Sequence, residues 1–502
     1  MRWILLTGLI LALTPNAKSG PGCRIRNFQT PTCENLENSH YRNYDDILGE
    51  TFKNSSPEEY LTLVDKKGIR TVPYQETSGD FATYKSDPVR IDPSLTYQTM
   101  YGFGGSVTES CLENLKRLSL SERATFFEKI FDRKQGAGFS YLRIPIGAND
   151  FSKGDYTLND TPGNAPDPEL KLFSGQKLQP FIEFIQEAKK YNPNIKIVIS
   201  PWTAPAWMKD TGKLRGGQIK KEYQAAYADY LLKTVRELEN KGIRVDQMTF
   251  LNEPLIGEAK EKWDFPQAYM PPEDQKIFIQ RYLSPKLAHT NTSLLLHDHN
   301  WDNGGYVDSM LKSNERSPSI EGVAYHCYGG SFSNLKKNIE RKPDVPVFNT
   351  ECSSTFNNGD AETMDWWQET QSLDAVKAGV SGSLGWNLCL DEKGGPQNNG
   401  CKTCRGLVTI DSRNQKMMFN PEFKALAATS KVIDAGSVRI QSTDPTPDVT
   451  SIAFKNPNGS FSLVLKNKSK MAQSYSISLG KCFVKTYHIP AGATLSTRWF
   501  QR

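Results

Sequence analysis

The chain has 502 residues, of which 37% are hydrophobic, 23% charged and 11% aromatic. This composition is globular and long enough to bury a large core, which excludes a disordered, collagen-like or multispan membrane protein. A net charge of only +5 argues against nucleic acid as the main partner.

The chain starts Met1-Arg2, then runs apolar from Ile4 to Leu13, and reaches a small-residue stretch at Ala17-Lys18-Ser19. The apolar run is too short to span a bilayer, so residues 1–19 are expected to be a secretory signal peptide rather than an anchor or a buried strand. No later stretch approaches the about 18 unbroken apolar residues of a transmembrane helix. The expected localisation is therefore secreted: extracellular, periplasmic or lysosomal according to host. Nine cysteines then permit disulfides. Cys23 with Cys33 is the first candidate pair. Cys401-Lys-Thr-Cys404 lacks the second Cys pair or His pair of a zinc site and follows a Gly/Asn-rich loop, so a local disulfide is expected over a metal or redox role. Five asparagines, Asn54, Asn159, Asn291, Asn458 and Asn467, fit the N-x-Ser/Thr pattern.

Residues 20–98 are polar and turn-rich, with short strands expected at Arg70–Pro73 and Val89–Asp92 and no long helical period before Ser119. From Tyr101 the texture changes. Apolar runs at Tyr101–Ser106, Tyr141–Gly147, Ile195–Pro201, Gln247–Leu251, Ser293–His297, Gly322–Tyr328, Pro346–Thr350 and Ser383–Leu388 alternate with helical segments. The helices expected between them include Ser121–Phe131, Leu178–Lys190, Lys220–Asn240, Pro272–Thr290 and Met364–Ala378. Such alternation implies parallel strands buried on both faces. Eight units predict an α/β fold, a (β/α)₈ barrel over residues 99–425, with an open doubly wound sheet as the alternative. Beyond Ile433, short alternating strands at Val438–Ser442, Val449–Lys455, Ser460–Lys466, Ser474–Leu479 and Cys482–His488 predict an antiparallel, sandwich-like unit over 426–502.

In such a barrel, functional residues lie at the C-terminal ends of the strands and in the loops that follow. The fourth run ends Asn252-Glu253-Pro254 and the seventh Thr350-Glu351-Cys352, so two carboxylates face each other across the mouth. The third run leads to Trp202, with Trp207 after it, and the sixth to His326 and Tyr328. The second leads to Asn149-Asp150, and the eighth carries Trp386-Asn387. Aromatic faces suit the apolar faces of a sugar ring, and Asp, Asn and His suit its hydroxyls. Two carboxylates flanking an anomeric carbon can protonate the leaving oxygen and stabilise an oxocarbenium-like centre. Each residue alone has a structural reading, as a salt-bridged acid, a packing Trp or a core His; their joint placement at one end of the barrel favours glycoside chemistry.

The chain resembles family 30 of the glycoside hydrolases, and within it the lysosomal glucosylceramidase-like enzymes. The resemblance is carried by Tyr101-Gly-Phe-Gly-Gly105, Arg143-Ile-Pro145, Ser200-Pro-Trp-Thr-Ala-Pro-Ala-Trp207, Leu251-Asn-Glu-Pro254, His326-Cys-Tyr328, Thr350-Glu351 and Trp386-Asn-Leu388. It implies a retaining mechanism with Glu253 as acid/base and Glu351 as nucleophile. It also implies that Asp150, Trp202, Asn252, His326, Tyr328 and Trp386 grip the sugar, with Asn252 bonding both the 2-hydroxyl and the nucleophile. Residues 20–98 would join the C-terminal strands in one β-sandwich beside the barrel. Glu253 is then expected to have a raised pKa through the charge of Glu351. No metal or organic cofactor is needed. The expected substrate is a glycolipid or a β-glucan: glucosylceramide-type β-glucosides lead, with peripheral contact to membrane lipid, and an endo-β-1,6-glucanase is the close alternative. A secreted carbohydrate-binding protein without catalysis is the reading from another class.

Overall fold

A computed structural model describes residues 57–65, 67–76, 87–256, 264–314 and 317–500. The expected signal peptide, the Cys23–Cys33 pair and Asn54 lie outside the described residues.

Eight parallel strands close into a barrel in chain order: Gly102–Ser106, Tyr141–Ile146, Lys196–Pro201, Gln247–Thr249, Ser293–Asn300, Ile320–His326, Val347–Glu351 and Val380–Gly385. All eight expected runs therefore became barrel strands; the open sheet is excluded. Tyr141, Val198, Leu295, Ala324, Phe348 and Leu384, from the second, third, fifth, sixth, seventh and eighth strands, fill the interior. The first strand is glycine-rich for a reason: a Cβ on Gly104 would sit 1.8 Å from the carbonyl oxygen of Tyr141. The eighth strand starts and stops three residues earlier than expected, which puts Trp386 just past its end, in the mouth.

Three helix expectations need correction. Thr108 caps a helix at Glu109–Lys116, before the first helix the sequence pattern revealed. The Pro272–Thr290 segment is interrupted by a π-helical turn at Phe278–Leu283. Pro285 follows that turn and has no N–H to offer the preceding one, so a regular helix cannot run through it. The Met364–Ala378 segment is two helices, Asp360–Thr370 and Leu373–Ala378, broken at Ser372, whose backbone is not helical.

The second unit is a sheet of nine strands. In spatial order these are Gly68–Pro73, Glu58–Asp65, Thr494–Trp499, Phe461–Asn467, Val449–Lys455, Val438–Ser442, Val89–Thr99, Gln473–Leu479 and Cys482–Ile489. The long strand Val89–Thr99 pairs with Val438–Ser442 from Thr99 back to Ile91, and on its other edge with Gln473–Leu479 at its start. There the sheet turns back on itself. Tyr487 on the far strand donates to Glu59 at 2.7 Å, and the Tyr74 and Tyr487 rings lie 5.1 Å apart. Leu61, Val89, Ile91, Leu463, Leu465, Tyr475, Ile477, Ile489 and Leu495 share the enclosed core, so N- and C-terminal strands form one β-sandwich. The strand Thr494–Trp499 was not anticipated, although it lies between two others. Asp434 pins the sandwich to the barrel, accepting from Arg133 at 2.6 Å and from Arg498 at 3.1 Å.

Cys401–Cys404 is the expected local disulfide, and Cys111–Cys389 and Cys327–Cys352 are two more that spacing did not reveal. Of the described glycosylation motifs, Asn159 and Asn467 are fully buried and hydrogen-bonded, which closes them to a glycan, whereas Asn291 is exposed. Among the described residues no helix is long and apolar enough to cross a membrane.

Candidate active site

Strand ends bring the expected carboxylates together. Glu253 follows the fourth strand with φ of 44°, a left-handed backbone that is costly for a residue with a Cβ. Glu351 is the last residue of the seventh strand. One oxygen of each, together with one nitrogen of His326, lies within 4.8 Å of the others.

His326 joins the two sides of the site. Its Nδ1 is 2.9 Å from Glu253 Oε1 and its Nε2 is 3.0 Å from Asp298 Oδ1. Burial opposes a charge on this imidazole, but the carboxylates of Glu351, Asp298 and Glu253 hold its pKa up at about 9. At neutral pH it is therefore an imidazolium that donates from both nitrogens. Glu253, His326 and Glu351 have the composition of a metal site. His326 spends both N–H groups on carboxylates, however, and would have to give up a proton to offer a lone pair to an ion.

Asp298 organises the charge beneath the carboxylates. It lies at a bulge in the fifth strand, between His297 and His299, with φ of 51°. Arg143 donates to it at 2.8 Å, Ser200 at 2.8 Å, Thr249 at 2.7 Å and Thr350 at 2.7 Å, besides His326. Burial alone would raise its pKa; Arg143 and His326 overrule it and hold the carboxyl well below the usual range. Arg143 is fully buried and forks. One Nη2 reaches Asp298 and, at 2.7 Å, Asn252 Oδ1, while Nη1 donates to Glu351. The guanidinium also lies over the Trp202 ring, 4.7 Å from its centroid. Tyr328 donates to the other oxygen of Glu351 at 3.1 Å. Burial raises the Glu351 carboxyl, and the His326 and Arg143 charges oppose that rise.

The residues expected to grip a sugar meet at the same mouth. Trp202 and Trp386 stack on each other, 5.0 Å apart and 20° from parallel. Trp386 bonds the Asp150 carboxyl, which burial and then the charge of Glu351 push well above the carboxylate range. Residues 398–404 cover this side: the Asn398 amide donates to the Asp150 carbonyl at 2.8 Å, and the Cys401–Cys404 disulfide closes the turn. Two expectations are corrected. Asn252 makes no hydrogen bond to Glu351; its oxygen is taken by Arg143, whose guanidinium reaches both. Trp207 is buried and donates to Asn159 at 2.9 Å, so it packs the wall and does not face the mouth.

The sequence pattern assigns no role to Arg143, which lies in one of the quoted motifs, and none to Asp298. Both left a signal: a lone Arg inside an apolar strand, and an Asp between two His at the end of another.

These features match known proteins. The glycosyl hydrolase family 30 TIM-barrel model covers residues 100–433, and the family's beta-sandwich model covers residues 436–496. The chain belongs to glycosyl hydrolase family 30. It is 30% identical to the endo-1,6-beta-D-glucanase neg1 of Aspergillus fumigatus over 74% of this chain and 78% of that one. It is 27% identical to the lysosomal acid glucosylceramidase of Mus musculus over 76% and 77%. Among solved structures, the endo-beta1,6-glucanase BT3312 superposes with a TM-score of 0.78 at 28% identity, covering 89% of this chain and 100% of that one. This family 30 member is therefore a glycosidase, and its relatives include both glucosylceramidases and endo-1,6-β-glucanases.

The His326 pKa gives a stability prediction for the family 30 chain. Folding raises it from 6.5 to about 9, so the folded chain binds this proton more tightly. That stabilisation is complete below pH 6.5 and is lost as pH rises to 9. Lys209, which burial pulls down to about 7, works with the opposite sign above that pH. The readable quantity is thus the melting-temperature difference between the native chain and His326→Gln. It is expected to shrink steadily from pH 6.5 to pH 9 in a thermal-shift series; a constant difference would remove the imidazolium from the site.

Proposed function

We propose that the chain is a secreted, retaining β-glucanase that cleaves a β-1,6-linked glucan internally. The carrying observation is the approach of Glu253 and Glu351 to within 4.8 Å. Retaining enzymes hold their carboxyls about 5–5.5 Å apart, and inverting ones leave at least about 6.5 Å for a water. In this reading Glu351 attacks the anomeric carbon while Glu253 gives its proton to the departing oxygen. Water then attacks the glycosyl ester, losing its proton to Glu253, and the sugar leaves with its original configuration. Arg143 and Tyr328 hold the nucleophile, and Asp150, Asn252, Trp202 and Trp386 grip the sugar.

The polymer is favoured by the likeness to BT3312 and neg1, and by the rim. The large exposed apolar side chains after the sixth and seventh strands are Tyr328 and Phe356, whose flat faces suit sugar rings better than two acyl chains. This departs from the sequence-based order, which put the glycolipid first. Glucosylceramide stays as the second reading, supported by the likeness to the mouse enzyme. Three disulfides among the described residues support an oxidising compartment.

The test sets a β-1,6-glucan beside glucosylceramide. Short oligosaccharides from the polymer are expected, with the β-anomer appearing first in the proton NMR spectrum. Glucose from the lipid alone would overturn the polymer reading, first appearance of the α-anomer would overturn retention, and binding without turnover would return the carbohydrate-binding reading.

A further inference from the structure

The loop that carries Glu253 rests on a buried amine that belongs to no carboxylate pair. Lys209 is 1% exposed, and its Nζ donates to Thr203 Oγ1 at 2.8 Å, the Leu214 carbonyl at 2.9 Å and the Gln267 carbonyl at 2.7 Å. An ammonium has three N–H donors, and here each has one neutral acceptor. Lys209 thereby ties the loop after the third barrel strand to the short strand Gln267–Tyr269, which returns after the fourth.

Gln267, also 1% exposed, carries the link onward. Its Nε2 donates to the Asn252 carbonyl at 2.8 Å and lies 3.3 Å from the Glu253 carbonyl. Both partners are acceptors, so only the NH₂ end of the amide can face them, and its Oε1 is left buried without a partner. An unpaired buried acceptor is unfavourable, which argues that the two donations fix this side chain. What they hold is the peptide that places Glu253 in its left-handed backbone. On the other side the Glu253 amide donates to the Asp298 carbonyl at 3.0 Å.

We propose that Lys209 and Gln267 are positioning residues for proton transfer: they hold the Asn252–Glu253 peptide so that the Glu253 carboxyl meets the leaving oxygen. The proposal rests on the reading of Glu253 as acid/base. A reacting group displaced by about 1 Å loses roughly 10²-fold in rate, and a positioned acid contributes about 10²–10⁴-fold. The effect must depend on how much the leaving group needs the proton.

The experiment compares kcat and KM of Gln267→Met and Lys209→Met on an alkyl β-glucoside and on 2,4-dinitrophenyl β-glucoside, whose phenolate departs unaided. The expected result is a loss of about 10²-fold in kcat/KM, which reads the acid-assisted first step, on the alkyl glucoside, and a loss at least tenfold smaller on the dinitrophenyl one, where kcat and KM fall together because the displaced Glu253 also slows the water step. A purely structural role would scale both substrates alike. Equal losses, or no loss, would overturn the proposal. Gln267→Met leaves its own backbone carbonyl for Lys209 and removes only the side-chain amide donations to the Asn252, Glu253 and Ala268 carbonyls, so it carries the test if Lys209→Met does not fold. Glu253→Ala is measured in parallel. If that variant shows no leaving-group dependence, the acid/base reading itself falls; if it shows one and Gln267→Met does not, only the positioning role falls.

Discussion

Glu351→Gly is expected to lower glycoside turnover by on the order of 10⁶-fold, the scale seen when a nucleophile is deleted, and azide should restore product. The reasoning starts from geometry. Glu351 ends its strand with one oxygen held by Arg143 and the other by Tyr328, so its position does not depend on substrate. Removing the carboxyethyl arm leaves a gap in front of the anomeric carbon, on the face opposite the leaving oxygen. Azide is small enough to enter and needs no deprotonation. Because it attacks directly, with no ester formed first, the glycosyl azide should have inverted configuration. The measurement is NMR of the azide adduct from an activated β-glucoside. Full activity in Glu351→Gly would refute the nucleophile, and an azide of retained configuration would mean that a different carboxylate forms the ester.

Asp298→Ala should cost stability rather than only rate, by about 3–5 kcal/mol, the range for breaking a buried ion pair from one side. Arg143 is fully buried and His326 fully buried beside it. Both carry positive charge, and Asp298 meets each directly. Without it, two buried cations face each other with Glu351 and Glu253 as the remaining counter-charges, and Ser200, Thr249 and Thr350 lose their shared acceptor. Asp298→Asn keeps the shape and part of the hydrogen bonding, so its loss should be smaller. Urea unfolding of the three chains would test this ordering. Equal stability of Asp298→Ala and the native chain would show that this network stores no such energy. Because folding depresses the Asp298 pKa, its contribution is present at neutral pH and disappears only in acid well below the ordinary carboxylate range.

The barrel was legible because buried parallel strands must be apolar along their whole length, and eight such runs recur between amphipathic helices. The two Glu residues were legible because strand ends point into the mouth. The underlying network was not. Asp298 and Arg143 acquire their meaning only when strands two, three, four, five, six and seven close on each other, and no local pattern reports that closure. The disulfides escaped for the same reason: Cys111 and Cys389 are 278 residues apart, and only the barrel brings their Cα atoms to 4.8 Å. Lys209 was hidden by its type, since a lysine in a loop reads as solvated until its three acceptors are in place. The strand Thr494–Trp499, with Ser496, Thr497 and Arg498 among its six residues, lacks the clean alternation of a half-exposed strand because it is buried throughout.

That strand also dictates an order of events during synthesis. It lies between Glu58–Asp65 and Phe461–Asn467 in the sheet, so residues made before the barrel are held in place by residues made after it. The segments for all eight barrel strands leave the ribosome in the interval. Glu58–Asp65 must therefore wait, with one edge paired only to Gly68–Pro73, until some 430 further residues have been translated. At about 5–20 residues per second that wait lasts from tens of seconds to over a minute. During that time the nascent chain presents an open strand edge, and a chain stopped short of residue 494 never covers it.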